Sequence, residues 1–319
     1  MNALRPELQD ALAAAETPRI TVVRSGGLGD SLLTLPVVRL FAEHESAPAV
    51  TFVGSAWAER LRPLLARPVR IRRFDGPEFT PLFAAGAPED PSGAFAEADA
   101  AVVFCAESGD AFVQNARQLC PGPVVVGTVR PPGGTHAARC FLSTVTCEMP
   151  GSAPLPALRT PPDRLEWARS WIECEFGRTR SPLALHPGSG GRRKCWPAGH
   201  FAAAARAMER PVLLVEGPAD RAAVARVRAC MPGHVPVAAA SGVPLTDLAA
   251  LLCRCHAFLG NDSGVSHLAG MMGIPTVAVF GPTDPAVWAP LGPNVRTLGG
   301  RGTWPEPSEV VRAMAEARD

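Results

Sequence analysis

Short apolar runs rich in β-branched residues recur along the chain with helical patterns between them, and this alternation constrains the fold more than any other feature. The runs cover residues 20–24, 49–53, 100–104, 124–128, 183–186, 212–217, 257–262 and 276–281. Strands spaced by helices in this way are βα units, which build mostly parallel sheets covered on both faces. The runs fall into two groups, and the stretch between them carries Pro150, Pro154, Pro156, Pro161 and Pro162. So many prolines cannot continue a helix or a central strand, so the stretch reads as an extended crossing between domains. The expectation is two α/β domains, residues 1–160 and 161–319, each near the common domain size of about 150 residues.

Charge excludes some functions. Lys and Arg (31) nearly cancel Asp and Glu (30), so nothing in bulk draws the chain to nucleic acid. No apolar run approaches the roughly 20 residues of a membrane span. The first residues carry Glu7 and Asp10 where a secretory signal is uninterruptedly apolar, so a cytoplasmic location is expected. Nine cysteines, odd in number and scattered, argue against a disulfide framework. Cys253, Cys255 and His256 lack a second ligand pair at metal-site spacing, and no metal site is expected. Helices are expected over 2–15, over 163–176 with Asp163 as its cap, and over 307–317; loops are expected at 86–93 and 130–135.

Three segments carry chemistry. After the first strand come Gly26, Gly27, Leu28, Gly29 and Asp30 ahead of an apolar helix. The glycines allow backbone to approach a ligand, but the third glycine of a dinucleotide fingerprint is missing, which weakens an oxidoreductase reading. Asp30 reads either as an N-cap for the helix it precedes or as a general base, and the two roles are compatible. In the second half a strand ends at His186, followed by Pro187, Gly188, Ser189, Gly190, Gly191 and the cations Arg192, Arg193 and Lys194. Such a loop can cradle a diphosphate, although a solvated basic loop has the same composition. Finally, Gly260, Asn261, Asp262, Ser263, Gly264, Val265, Ser266 and His267 form a polar turn leading into a helix of small residues. Its N-terminus falls at the same strand-end edge as the basic loop, where Ser263 can cap the helix or meet a phosphate.

Taken together, Gly-Leu-Gly-Asp at 27–30, His-Pro-Gly-Ser at 186–189 with Lys194 and Trp196, and the 260–269 segment followed by Gly-Pro-Thr-Asp at 281–284 resemble glycosyltransferase family 9, the ADP-heptose:lipopolysaccharide heptosyltransferases. The resemblance runs from about residue 19 to the C-terminal region. It implies a GT-B architecture, with two Rossmann-like domains facing across a cleft, the acceptor on the first and a nucleotide-sugar donor on the second. It implies inverting transfer with neither metal nor cofactor, from an ADP-sugar, heptose by preference, to a glycan or lipid-linked acceptor.

Asp30 then becomes the base, on a loop shaped by Gly27 and Gly29. Ser189, Gly190, Lys194, Asp262, Ser263, Gly264 and His267 become donor contacts. Asp220 falls where family members often carry a glutamate on the nucleotide side, and the shorter side chain weakens a ribose contact. Arg60, Arg62, Arg67, Arg70, Arg72 and Arg73 read as a solvated face, or as a patch for an anionic acceptor or a transient contact with the inner membrane surface. Two other classes stay open: a catalytically silent nucleotide-sugar-binding protein, and a nucleotide-sugar transferase or epimerase with a different donor.

Overall fold

The computed structural model describes residues 3–84, 89–107, 109–149, 151–153, 155, 158–178 and 180–316. Contacts divide the chain into two units, Met1–Pro156 and Ala157–Asp319. Parts of the expected connector (150, 154, 156 and 157), of the 86–93 loop (86–88) and of the terminal helices (2 and 317) lie outside the described residues.

The first unit runs α1 (Pro6–Ala14), β1 (Arg19–Arg24), α2 (Leu28–Ala42), β2 (Ala49–Gly54), α3 (Ala56–Leu61), β3 (Arg70–Arg73), β4 (Ala100–Cys105), α4 (Ala111–Leu119), β5 (Val124–Thr128) and α5 (Ala137–Ser143). Its sheet has the order β3-β2-β1-β4-β5, with all pairs parallel. One face buries Val23, Val53 and Val103 against Phe79, Phe95 and Phe112. The other carries Val22, Phe52 and Val102, which are register partners and fully buried. Each such side chain removed from water contributes about 1.5–3 kcal/mol, which is why apolar residues dominate these runs.

The second unit runs α6 (Pro162–Phe176), β6 (Leu183–His186), α7 (Ala198–Ala207), β7 (Val212–Glu216), α8 (Arg221–Cys230), β8 (Val237–Ser241), α9 (Leu245–Arg254), β9 (Ala257–Asn261), α10 (Gly264–Met271), β10 (Thr276–Phe280), α11 (Pro285–Trp288), β11 (Val295–Gly299) and α12 (Pro307–Glu316). The sheet order is β11-β10-β9-β6-β7-β8, again parallel throughout. Leu185, Leu214, Leu259 and Val279 pack with Trp196, Phe201 and Met314 on one face, and Leu213 and Ala240 pack with Leu251 and Ala168 on the other. The expected doubly covered α/β sheets are present in both units.

Two local expectations need correcting. Asp163 does not cap α6: Pro162 occupies its first turn, its ring having preset the helical φ, and Asp163 lies inside that turn paired with Arg164. Nor does Asp30 cap α2. The cap position belongs to Gly27, and Asp30 stands in the first turn with its carboxylate reaching back to the Gly27 N–H at 2.8 Å.

Candidate functional site

In each sheet the chain reverses its direction of winding once, between β1 and β4 in the first and between β6 and β9 in the second. Loops leaving the carboxyl ends of strands diverge at such points and leave room for a ligand. The four neighbouring strands β10, β9, β6 and β7 deliver the expected donor segments side by side.

The loop after β6 is shaped from below. Asn261, fully buried at the end of β9, donates from Nδ2 to the carbonyls of Pro187 (2.9 Å) and Gly188 (3.1 Å), while its Oδ1 accepts from Trp196 N–H at 2.8 Å. One amide thereby ties both ends of the 187–196 segment. Gly188 is needed for a steric reason, since a Cβ there would lie 1.8 Å from Asp220 Oδ1. Gly190 differs, because a Cβ there would meet nothing within 4 Å and its backbone borders open space.

Asp262 is the hub of the site. Its Oδ2 accepts from Lys194 Nζ at 2.8 Å and from Thr283 Oγ1 at 2.8 Å, and its carbonyl accepts from Ser189 Oγ at 2.7 Å. Asp262 is nearly closed to solvent, whereas the Lys194 side chain keeps 37% exposure, so the ammonium is anchored on one side and free on the other. Beside it, Ser263 caps α10 by accepting from Ser266 N–H, and Gly264 opens that helix. Unpaired N–H groups of a helix start, two hydroxyls and a half-open ammonium form a surface suited to a diphosphate. His267 is also on α10, buried in its first turns.

Behind this surface His186 bridges two loops, with Nδ1 3.0 Å from Ser263 Oγ and Nε2 3.0 Å from Asp220 Oδ2. Burial pushes the Asp220 carboxyl up, but the hydrogen bond and charge of His186, aided by the Gly217 N–H, outweigh it and hold the group below its ordinary value. Asp220 therefore faces inward. Oδ2 is shared between His186 and Gly217 N–H (3.0 Å), and Oδ1 abuts Gly188, so both carboxylate oxygens are turned to neighbouring loops.

In the first unit, Arg24 ends β1 almost wholly buried and donates from Nη2 to Asp30 Oδ1 at 2.5 Å. Its other terminal nitrogen holds the Ser25 carbonyl at 2.8 Å, and the guanidinium lies 5.6 Å from the Phe141 ring centre. Burial pulls the Arg24 pKa down, against the charge of Asp30. The turn between them needs Gly26, whose φ of +127° is strained for any side chain and whose Cβ would fall 2.5 Å from the Asp30 carboxylate. Gly29 lies within α2.

Ser189, Lys194, Asp262 and Ser263 are thus gathered directly, and Asp220 joins them through His186. Arg24, His186, Asn261 and Thr283 are not singled out as site residues by the sequence. The last three stand inside its motifs, but their part is to hold other loops, and spacing along the chain does not reveal it. Among the described residues no three of His, Cys, Asp and Glu come together as a set of metal ligands. All nine cysteines are free.

Two parallel α/β units, each with one switch point, fit a GT-B architecture, and solved structures agree. Escherichia coli ADP-heptose lipopolysaccharide heptosyltransferase II superposes with a TM-score of 0.74 at 18% identity, over 94% of this chain and 98% of that one. A family 9 glycosyltransferase from Veillonella parvula gives 0.74 at 18%, over 94% and 97%. The sequence model of glycosyltransferase family 9 (heptosyltransferase) matches residues 141–316, more than half of the chain, and the protein belongs to that family. Among curated relatives, lipopolysaccharide heptosyltransferase 3 of Escherichia coli is 33% identical over 136 residues, a match spanning 40% of this chain and 40% of that protein's length.

Proposed function

We propose that this protein is an inverting, metal-independent glycosyltransferase that moves a sugar, heptose in this reading, from an ADP-sugar to a lipopolysaccharide-type or other surface glycan acceptor. The second unit would hold the donor and the first the acceptor, at the cytoplasmic face of the inner membrane and with no resident cofactor. The observation that carries the reading is the cluster of Ser189, Lys194, Asp262 and Ser263 at a switch point in a family 9 chain. The Escherichia coli structural relative is an ADP-heptose transferase by name, which supports the choice of donor.

In the proposed reaction Asp30 takes the proton of an acceptor hydroxyl as that oxygen forms its bond to the anomeric carbon. The carbon–phosphate-oxygen bond breaks on the opposite face, and ADP leaves. Lys194 and the N–H groups opening α10 would meet the charge that gathers on the departing diphosphate, a task that a divalent ion performs in other designs. Gly190, Gly264 and His267 complete the donor side, Gly27 and Gly29 the acceptor loop, and Asp220 acts through His186 on Ser263.

A second reading, a nucleotide-sugar-binding protein without transfer, is favoured by one observation: both oxygens of Asp30 already serve the α2 turn. Calorimetric titration with ADP, UDP, GDP and NAD, with and without Mg²⁺, tests the donor. ADP is expected to bind best, independently of metal, and Lys194→Ala to weaken it by about tenfold to a hundredfold, the range of a charge-assisted hydrogen bond. Preference for UDP or GDP would replace the donor, and tight NAD binding alone would overturn the transferase. Release of ADP from ADP-heptose only when acceptor is present separates the two readings.

A further inference from the structure

The amino edge of the first sheet, at the opposite end of its strands from Asp30, carries an amphipathic hollow. A cavity of about 160 Å³ opens where β1, β2 and β3 begin, lined by Arg19, Thr21, Thr51, Arg70, Arg72 and Ser92. An open trough of about 760 Å³ adjoins it, sharing Ala49, Val50 and Arg70 and walled by Arg62, Leu65, Arg67 and Val69. The register explains the placement: Thr21, Thr51 and Arg70 are partners across three strands, and so are Val23, Val53 and Arg72. Arg70 and Arg72 therefore stand on the sheet face that elsewhere buries the core.

Five arginines line the two hollows together, against one carboxylate, Glu97, which Arg19 already engages at 3.0 Å. Among the described residues none of Arg62, Arg67, Arg70 and Arg72 pairs with a carboxylate. The rest of the basic run is accounted for. Arg73 is paired with Asp75 at 2.8 Å, and Arg60 stacks 4.8 Å from the Trp57 ring centre. An inward charge on an edge strand also deters pairing with another sheet, but one residue of β3 is enough for that, and it leaves Arg62 and Arg67 unexplained.

We propose that this hollow docks the protein on an anionic bilayer, the arginines taking phosphate-bearing lipid headgroups and the half-buried Leu65 and Val69 resting against the interface. A soluble phosphate would fill the smaller cavity and leave the apolar trough without a purpose. Guanidiniums around apolar side chains match the boundary between headgroup and acyl chain. β1 is six residues long, so docking is separated from Asp30 by roughly 20 Å of strand and leaves the carboxyl edge open. The inference does not depend on the proposed reaction.

Co-sedimentation of the full chain with vesicles tests it, using phosphatidylglycerol in phosphatidylcholine against phosphatidylcholine alone. Binding is expected only to the anionic vesicles, weakening as salt rises. Arg67→Gln with Arg70→Gln should lower the partition by about tenfold or more, since each cation near an anionic surface carries a large share of the attraction. The same charge loss in Arg206→Gln with Arg228→Gln, on exposed helix faces of the second unit, should change it little. If the strand substitution disturbs folding, as read by thermal melting, Arg62→Gln with Arg67→Gln removes two trough cations outside β3 and should show the same loss. Equal binding by wild type and the hollow variants, or equal binding to both vesicles, overturns the proposal. So does release of the protein from anionic vesicles by millimolar inorganic phosphate, which would make the hollow a site for a soluble anion.

Discussion

Asp30 is held at both oxygens, and the two contacts act on it differently. The Gly27 N–H fixes one oxygen against the start of α2, and the buried Arg24 guanidinium holds the other toward the end of β1. Each oxygen keeps a second lone pair, and a third of the side chain stays open to solvent. Asp30→Ala is therefore expected to keep ADP affinity within a few-fold while lowering turnover by roughly 10²-fold or more, the usual loss for a missing base. Initial rates alongside calorimetric ADP binding check this, and unchanged turnover would reduce Asp30 to a clamp on the helix. At this scale the sequence was legible where neighbouring motifs converge on one sheet edge, as for Lys194 and Asp262, which the structure brings to 2.8 Å. Arg24 was not, because a turn at Gly26 brings it to Asp30 and nothing in the spacing announces that pairing.

Seven of the eight strands legible in the sequence lie inside their sheets, and the eighth, β5, is an edge that keeps a run of three valines. β3, β8 and β11 escaped, and all three are edges, where one side of the ladder is unpaired and a continuous apolar run is not required. The loops between strands were readable as loops, but their packing was not. Asp220 turns inward, where His186 and the Gly217 N–H are its partners. That contact has a pH signature. A carboxyl whose pKa is depressed in the folded state adds stability that is complete above its unfolded pKa and is lost as pH falls through the folded value. Asp220→Asn should cost the second unit about 1–3 kcal/mol at neutral pH, the penalty for leaving a buried partner poorly paired. The gap between wild type and variant should close as pH drops below the ordinary carboxylate range. Urea unfolding of both proteins at a series of acid pH values checks this, and a gap independent of pH would mean that the carboxylate charge is not what holds the corner.

At the scale of the whole molecule, two units with separate cores divide the work unevenly. Every member of the Asp262 cluster lies in the second unit, and Asp30 with its supporting turn lies in the first. The presence of two α/β bodies was legible because a proline-rich stretch separates two sets of strands, while the hollow at the amino edge of the first sheet was invisible, since β3 itself was not recognised. If the donor belongs to the second unit, ADP at about 100 times its dissociation constant should stabilise that unit by about 2.7 kcal/mol through mass action alone. Amide hydrogen exchange reads this unit by unit. Exchange through global opening of the second unit should slow by about a hundredfold, with further protection over 187–197 and 262–268, where the N–H groups would meet the diphosphate. The amides of β1, β2 and β4 should exchange at their ligand-free rates, because a nucleotide bound elsewhere adds nothing to their protection. Slowing confined to the first unit, or none over 187–197, would remove the donor from the Asp262 cluster and leave that cluster as a device for holding four loops together.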